Sequence, residues 1–114
     1  MKFNKFEEIE AWRKAGKLSV VIYQLFREIK DFEFRGQILR AVVSIMNNIA
    51  EGFERSGNKE FKRFLYIAKG SAGEVRSMLY LAVKLGYIQQ KDFSLLLEQA
   101  REISRMISGL IKTL

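Results

Sequence analysis

The chain has 114 residues, and at roughly 100–200 residues per domain this predicts a single domain over residues 1–114. With no Cys and no His, disulfides, thiolate metal sites, cysteine nucleophiles and the usual imidazole proton shuttle are excluded. The 20 Lys and Arg against 13 Asp and Glu leave a net charge of +7, which favours a polyanionic partner such as nucleic acid or an acidic membrane surface.

Ser–Lys or carboxylate-only chemistry survives those exclusions but needs a positive signal. No catalytic set, metal or cofactor is therefore expected. Acids at Glu7, Glu8 and Glu10 deny the N-terminus the character of a signal peptide. Apolar runs such as Val20-Val21-Ile22 fall far short of the roughly 18 residues that a bilayer span needs. The expectation is a cytoplasmic soluble protein without a membrane partner.

The chain contains no proline, so long helices run uninterrupted. A first helix is predicted from Ile9, Trp12, Ala15, Ser19, Ile22 and Phe26, which recur at steps of three and four, with Leu18, Leu25 and Ile29 beside them. Lys30 to Glu33 form a polar break around Phe32. The second helix carries Ile38, Val42, Ile45, Ile49 and Phe53, and stops at the turn signal Ser56-Gly57-Asn58. The third runs Phe61, Phe64, Leu65, Ala68, Ala72, Val75, Leu79 and Ala82 to Gly86. The fourth starts near Asp92 as N-cap and continues through Phe93, Leu96, Leu97, Ala100, Ile103, Ile107, Leu110 and Leu114. Four long helices with short connections predict an all-α, antiparallel up-down-up-down four-helix bundle.

Charge concentrates on the third helix, where residues 58–86 hold six bases and two acids. At 100° per residue, Lys62, Tyr66, Lys69, Gly73, Arg76, Tyr80 and Lys84 share an arc of about 80° that contains no acid. Lys59 leads the same helix. Such a stripe suits a phosphate backbone: the bases neutralise phosphates, and Tyr bonds a phosphate or stacks on an unpaired base. A solvated face of a basic amphipathic helix has the same composition, and the pattern alone does not separate the two readings.

The second helix is unusual in a different way. Gln37, Arg40, Ser44, Asn47, Asn48, Glu51 and Arg55 lie on one side, where an ordinary solvated face carries strong helix formers. Ser and Asn compete for backbone hydrogen bonds and are poor mid-helix choices. With small Ala41 and Gly52 nearby, this side is shaped for close approach by a neighbouring helix, another subunit or a ligand. Folding helices two and three back about Gly57 sets Arg40 opposite Glu74, Ser44 opposite Gly70, and Glu51 opposite Arg63. Each Glu then has its own Arg, so a structural seam is favoured over paired catalytic or metal-binding carboxylates.

Two shorter features have plain readings. Lys69-Gly70-Ser71 has the order of a phosphate-binding loop reversed and lies mid-helix, so that reading is rejected. Trp12 is in register with the apolar face of helix one and is expected in the core rather than as a base-stacking platform.

Successive blocks of the chain resemble one family. They are Phe6-x-x-Ile9-x-x-Trp12-x-x-Ala15, Ile22-Tyr23, Gln37-Ile38-x-Arg40-Ala41 and Ser44-Ile45-x-x-Asn48-Ile49-Ala50-Glu51-Gly52. Arg55, Phe61-x-x-Phe64-Leu65-x-Ile67-Ala68-Lys69-Gly70-Ser71, Glu74, Leu85-Gly86-Tyr87 and Met106-Ile107-x-x-Leu110 continue the pattern. It resembles the four-helix-bundle proteins encoded in 23S ribosomal RNA intervening sequences of bacteria, often labelled ribosomal-protein-like. The chain departs from the family in lacking a proline in the first connection, which reads Asp31-Phe32-Glu33-Phe34, and another where Met46 stands. The resemblance implies a small basic bundle assembled as a cyclic homopentamer. It also implies kinship with accessory proteins of diversity-generating retroelements, which bind nucleic acid and a reverse transcriptase.

Val20, Val21, Leu39, Val43 and Met46 lie off the main core stripes, and the resemblance makes them candidates for an oligomer interface. A merely broad core stripe accounts for them equally. The leading functional expectation is a non-catalytic RNA- or DNA-binding oligomer. A protein–protein adaptor for an acidic or nucleic-acid-bound partner comes second, and an enzyme third.

Overall fold

Helices form along the four apolar stripes: α1 (Glu10–Leu25), α2 (Phe32–Glu54), α3 (Asn58–Lys84) and α4 (Gln90–Lys112). A single 3-10 turn, Phe6–Glu8, precedes them. The structure is a computed structural model that describes residues 3–55 and 57–114. Ser56, the first residue of the expected second turn, lies outside the described residues together with Met1 and Lys2.

Neighbouring helices run in opposite directions around a square. Gly16 approaches Met46 while Ser19 Oγ reaches the Val42 carbonyl, so α1 and α2 are antiparallel. Ser44 meets Ser71 and Gly52 meets Phe64 across α2 and α3. Tyr80 faces Phe93 across α3 and α4, and Lys14 reaches Glu102 to close the square between α1 and α4. No strand occurs among the described residues, and the bundle measures 43 × 22 × 19 Å.

The predicted stripes line the centre. Ile22, Ile38, Ile45, Ile49, Leu65, Leu79 and Ile107 are fully buried. Burial of a Leu or Ile side chain contributes about 1.5–3 kcal/mol, so these contacts hold helices that would be marginal alone. Trp12 is half-buried and meets the Phe6 ring edge-on, with centroids 5.1 Å apart.

The connections are built from side-chain and glycine chemistry. The helix α1 stops at Leu25, short of the expected Ile29, because the chain turns over the buried Phe26. Arg35 Nη1 then donates to the Arg27 carbonyl at 2.9 Å. Asp31 caps α2, its Oδ1 accepting from the Phe34 N–H at 3.1 Å, and the helix runs straight through Met46. Gly57 (φ 91°) and Gly86 (φ 78°) hold left-handed conformations that L side chains rarely adopt.

After α3, the Tyr87 N–H bonds the Ala82 carbonyl and the Gly86 N–H bonds that of Val83. This is a Schellman closure, with glycine at the position that needs positive φ. It buries Ile88 and delivers Gln89 in extended geometry, so α4 starts at Gln90. Asp92 therefore sits in the first turn instead of at the N-cap, where its charge still complements the helix dipole.

Candidate nucleic-acid interface

The acid-free arc of α3 points away from the core. Lys69 and Lys84 are exposed, Lys62 and Arg76 are half-exposed, and Lys59 is exposed in the first turn. None of these five bases forms an ion pair among the described residues. Their charge is therefore not neutralised within the protein. The two tyrosines differ in freedom. Tyr80 packs edge-on against Phe93 with centroids 5.1 Å apart, and its hydroxyl accepts from Arg101 Nη2 at 3.5 Å. Tyr66 has no such ties and is 56% exposed.

A second row of bases, missed in the sequence, lies across from the first. Arg101, Arg105 and Lys112 of α4 line a groove of 530 Å³ with Arg76 of α3, and Ser104, Ser108 and Gly109 complete its surface. On α4 these three bases share an arc of about 40° at 100° per residue. That arc is visible in the sequence, but the segment's three acids reduce its net charge to +1 and hide it. Arg105 reaches Glu98 at 3.0 Å, with both side chains more than 60% exposed. Exposed pairs of this kind are weak and exchange readily for another anion.

The polar side of α2 receives α3. Ser44 and Ser71 hydroxyls lie 2.9 Å apart, and Asn48 Nδ2 donates to both the Ser44 carbonyl and its hydroxyl. Gly52 is buried against Phe64, where a β-carbon would stand 2.5 Å from Phe64 Cβ. The helix α3 thus packs on Ser44, Asn48 and Gly52 of this side, while Gln37, Arg40, Asn47, Glu51 and Arg55 stay exposed. Ser71 belongs to this seam, and Lys69-Gly70-Ser71 is continuous helix.

The expected charge pairs are corrected in detail. Arg40 does not pair with Glu74; its guanidinium folds back along its own helix, so that a β-carbon on Gly36 would lie 3.1 Å from Nη1. Glu74 instead accepts from Gln37 Nε2 at 3.5 Å. Glu51 pairs with Arg55 at 2.9 Å rather than with Arg63, and Arg63 pairs with Glu60 at 3.2 Å. Ser44 faces Ser71 rather than Gly70. Asn47 is exposed beside the seam and outside its hydrogen bonds.

Partners one helical turn away win because the backbone already holds them close, whereas a cross-helix pair must also immobilise two long side chains. The Arg63 hydrogen bond holds the Glu60 carboxyl below its ordinary pKa and raises Arg63 in return. Both Arg55 and Arg63 lie over the Phe64 ring, at 5.0 and 4.6 Å from its centroid. Glu51 thus serves a contact within its own helix, and Glu74 a long one across to Gln37 of α2.

The α1–α2 side has the opposite chemistry. Val20 is 56% and Tyr23 48% exposed, and with half-buried Val43 and Met46 they border a groove of 420 Å³. Val21 is exposed on α1, and Leu39 is half-buried. In the square arrangement this groove lies opposite the basic one. No helix among the described residues is long and apolar enough to cross a membrane.

A basic antiparallel four-helix bundle, with a basic groove between α3 and α4 and an apolar groove between α1 and α2, is the class that fold and surface define. Residues 7–109 match the family described as 23S rRNA-intervening sequence protein, and the chain belongs to that family. A crystal structure of a protein of unknown function from the S23 ribosomal protein family, from Bacteroides thetaiotaomicron, is similar to it. The TM-score is 0.83 at 25% sequence identity, over 90% of this chain and 95% of that one. No match is found among curated proteins.

Proposed function

We propose that the protein is a non-catalytic, nucleic-acid-binding oligomer that takes RNA or DNA on the outer face of α3. One observation carries the reading: a row of bases without internal carboxylate partners, exposed at Lys69 and Lys84 and half-exposed at Lys62 and Arg76. Bases in a merely solvated face are commonly interspersed with acids, and this face has none. Family membership in the 23S rRNA-intervening sequence proteins supports the reading without specifying a ligand.

Assembly is part of the proposal. A cyclic homopentamer, the form that the resemblance implies, needs two unlike patches that meet head to tail. The α1–α2 groove supplies one. Exposed Ile67, Leu81 and Leu85, on the outer side of α3 next to α2, supply the other. Both leave the α3–α4 groove outside.

The test compares two charge-matched variants. Lys62, Lys69 and Arg76 changed together to Gln are expected to keep helix content and oligomer state, because none is buried. The log–log salt slope of binding should flatten by roughly 2–3 per subunit engaged, at 0.7–0.9 per lost phosphate contact. Lys5, Lys17 and Lys30, exposed bases away from α3, provide the control when changed to Gln. Lys14 does not serve as a control because it pairs with Glu102 at 3.2 Å. Equal weakening by both variants means diffuse attraction and overturns the α3 site. No binding by the parent at low salt transfers the function to an adaptor for an acidic or nucleic-acid-bound protein.

A further inference from the structure

We infer that the polynucleotide held by the α3–α4 groove is a single strand rather than a duplex, an inference that rests on the nucleic-acid reading above. The register of the two helices carries it. Tyr80 stands opposite Phe93, and counting outward from that pair brings Lys69 level with Ser104 and Arg105. The same count brings Lys62 level with Ile111 and Lys112. Arg76 shares its groove with Arg101 and Arg105. Cations therefore flank one straight track on both sides, from Lys62 and Lys112 at one end to Arg76 and Arg101 at the other.

The length of this track discriminates between the two ligands. Lys62 to Arg76 covers about 21 Å at 1.5 Å per residue. A B-form duplex completes a turn in about 34–36 Å, so over the track either strand winds more than half way around the duplex axis. A straight row cannot follow it, and a duplex laid here touches about two of the six cations before its backbone turns away. A single strand is free to run the whole length and meet both rows.

The surface between the rows agrees. Ser104 and Ser108 are short, so a backbone can settle between the cations. The half-buried Ser108 offers its hydroxyl to a phosphate oxygen. Exposed Tyr66, on the rim of the α3 row, offers a ring face to an unpaired base, which a duplex does not present.

The test titrates the full-length protein with a labelled, unstructured single strand of about 15 nucleotides, near the upper end of known site sizes. A duplex of equal length is titrated alongside it. The strand is expected to bind more tightly at matched salt. Its log–log salt slope should be about −4 per subunit engaged, from six contacts at 0.7 each, against about −2 for two duplex contacts at 0.9 each.

Tyr66→Ala, at an exposed position, should weaken strand binding roughly 5- to 150-fold and leave duplex binding unchanged. Arg101 and Arg105 changed together to Gln should flatten the strand slope by about 1.4. A duplex bound as tightly as the strand, with the steeper slope, overturns this inference and leaves the nucleic-acid reading standing. If neither ligand binds in a salt-dependent way, both readings fall.

Discussion

At the scale of single residues, Gly52 and Phe64 set how closely α2 and α3 approach. A methyl group on Gly52 would meet Phe64 Cβ at 2.5 Å, and both atoms are attached directly to backbone. Overpacking of this kind costs about 1–3 kcal/mol. Gly52 lies in the last turn of α2, where alanine returns less than the about 1 kcal/mol of helix propensity that it gains at a mid-helix glycine such as Gly70. Gly52→Ala is therefore expected to lower stability in denaturant titration, whereas the same change at open Gly70 should raise it. The hydroxyl pair Ser44–Ser71 makes a smaller contribution: Ser71→Ala should cost about 0.5–1.5 kcal/mol. Glu74 is exposed and holds only a long contact to Gln37, so Glu74→Gln should stay within about 0.5 kcal/mol of the parent. A loss of several kcal/mol there would restore the buried Arg40–Glu74 pair that the structure replaces.

At the scale of elements, the start of α2 is tied to the turn between α3 and α4 by one hydrogen bond. Tyr87 donates its hydroxyl to Asp31 Oδ2 at 2.7 Å, while Asp31 Oδ1 caps α2. The Tyr87 bond, helped by the Phe34 N–H, holds the Asp31 pKa below 3.8; the same bond raises Tyr87 above 10.0. A carboxylate with a lowered folded pKa contributes stability that is present above its unfolded value and lost as pH falls through the folded one. A phenol with a raised folded pKa contributes stability that is present below its unfolded value and lost as pH rises through the folded one. The tie is thus intact between about pH 4 and pH 10. Tyr87→Phe should melt below the parent at neutral pH, and the gap should close once Asp31 is protonated. A gap that stays constant into acid means that the hydroxyl contributes by another route.

The helices themselves are legible in the sequence, because apolar steps of three and four persist through chains such as Ile38-Val42-Ile45-Ile49. The close approach of α2 and α3 is legible too, from Ser44, Asn48 and Gly52 on one face. Its individual partners are not. Folding about Gly57 defines the register only to within a few residues, and each residue of error turns a side chain by 100°. Arg55 and Arg63 are long enough to satisfy themselves nearby, and Arg40 lies back along its own helix. The basic row of α4 is obscured for another reason, since only the α3–α4 register brings it beside Arg76.

At the scale of the whole molecule, the proposed function assigns different partners to different grooves. The basic groove between α3 and α4 lies opposite the apolar groove between α1 and α2, so under that proposal the polyanion site stays clear of the two self-contact patches. Val20→Asp and Leu81→Asp place a charge on each proposed patch, and both positions are exposed in the single chain. Each variant is expected to fold and to scatter light as a smaller species than the parent. A parent already monomeric, at about the 13.3 kDa of one chain, contradicts the ring. The central claim is that arrangement of charge, beyond its sum of +7, directs nucleic acid to one face. The most direct test is photo-crosslinking to a single strand carrying a photoreactive base, with the adducts located by mass spectrometry. Adducts at Tyr66 and in peptides of α3 and α4 that flank the groove are the expected result. Adducts spread evenly over the four helices, or gathered on α1 and α2, contradict it.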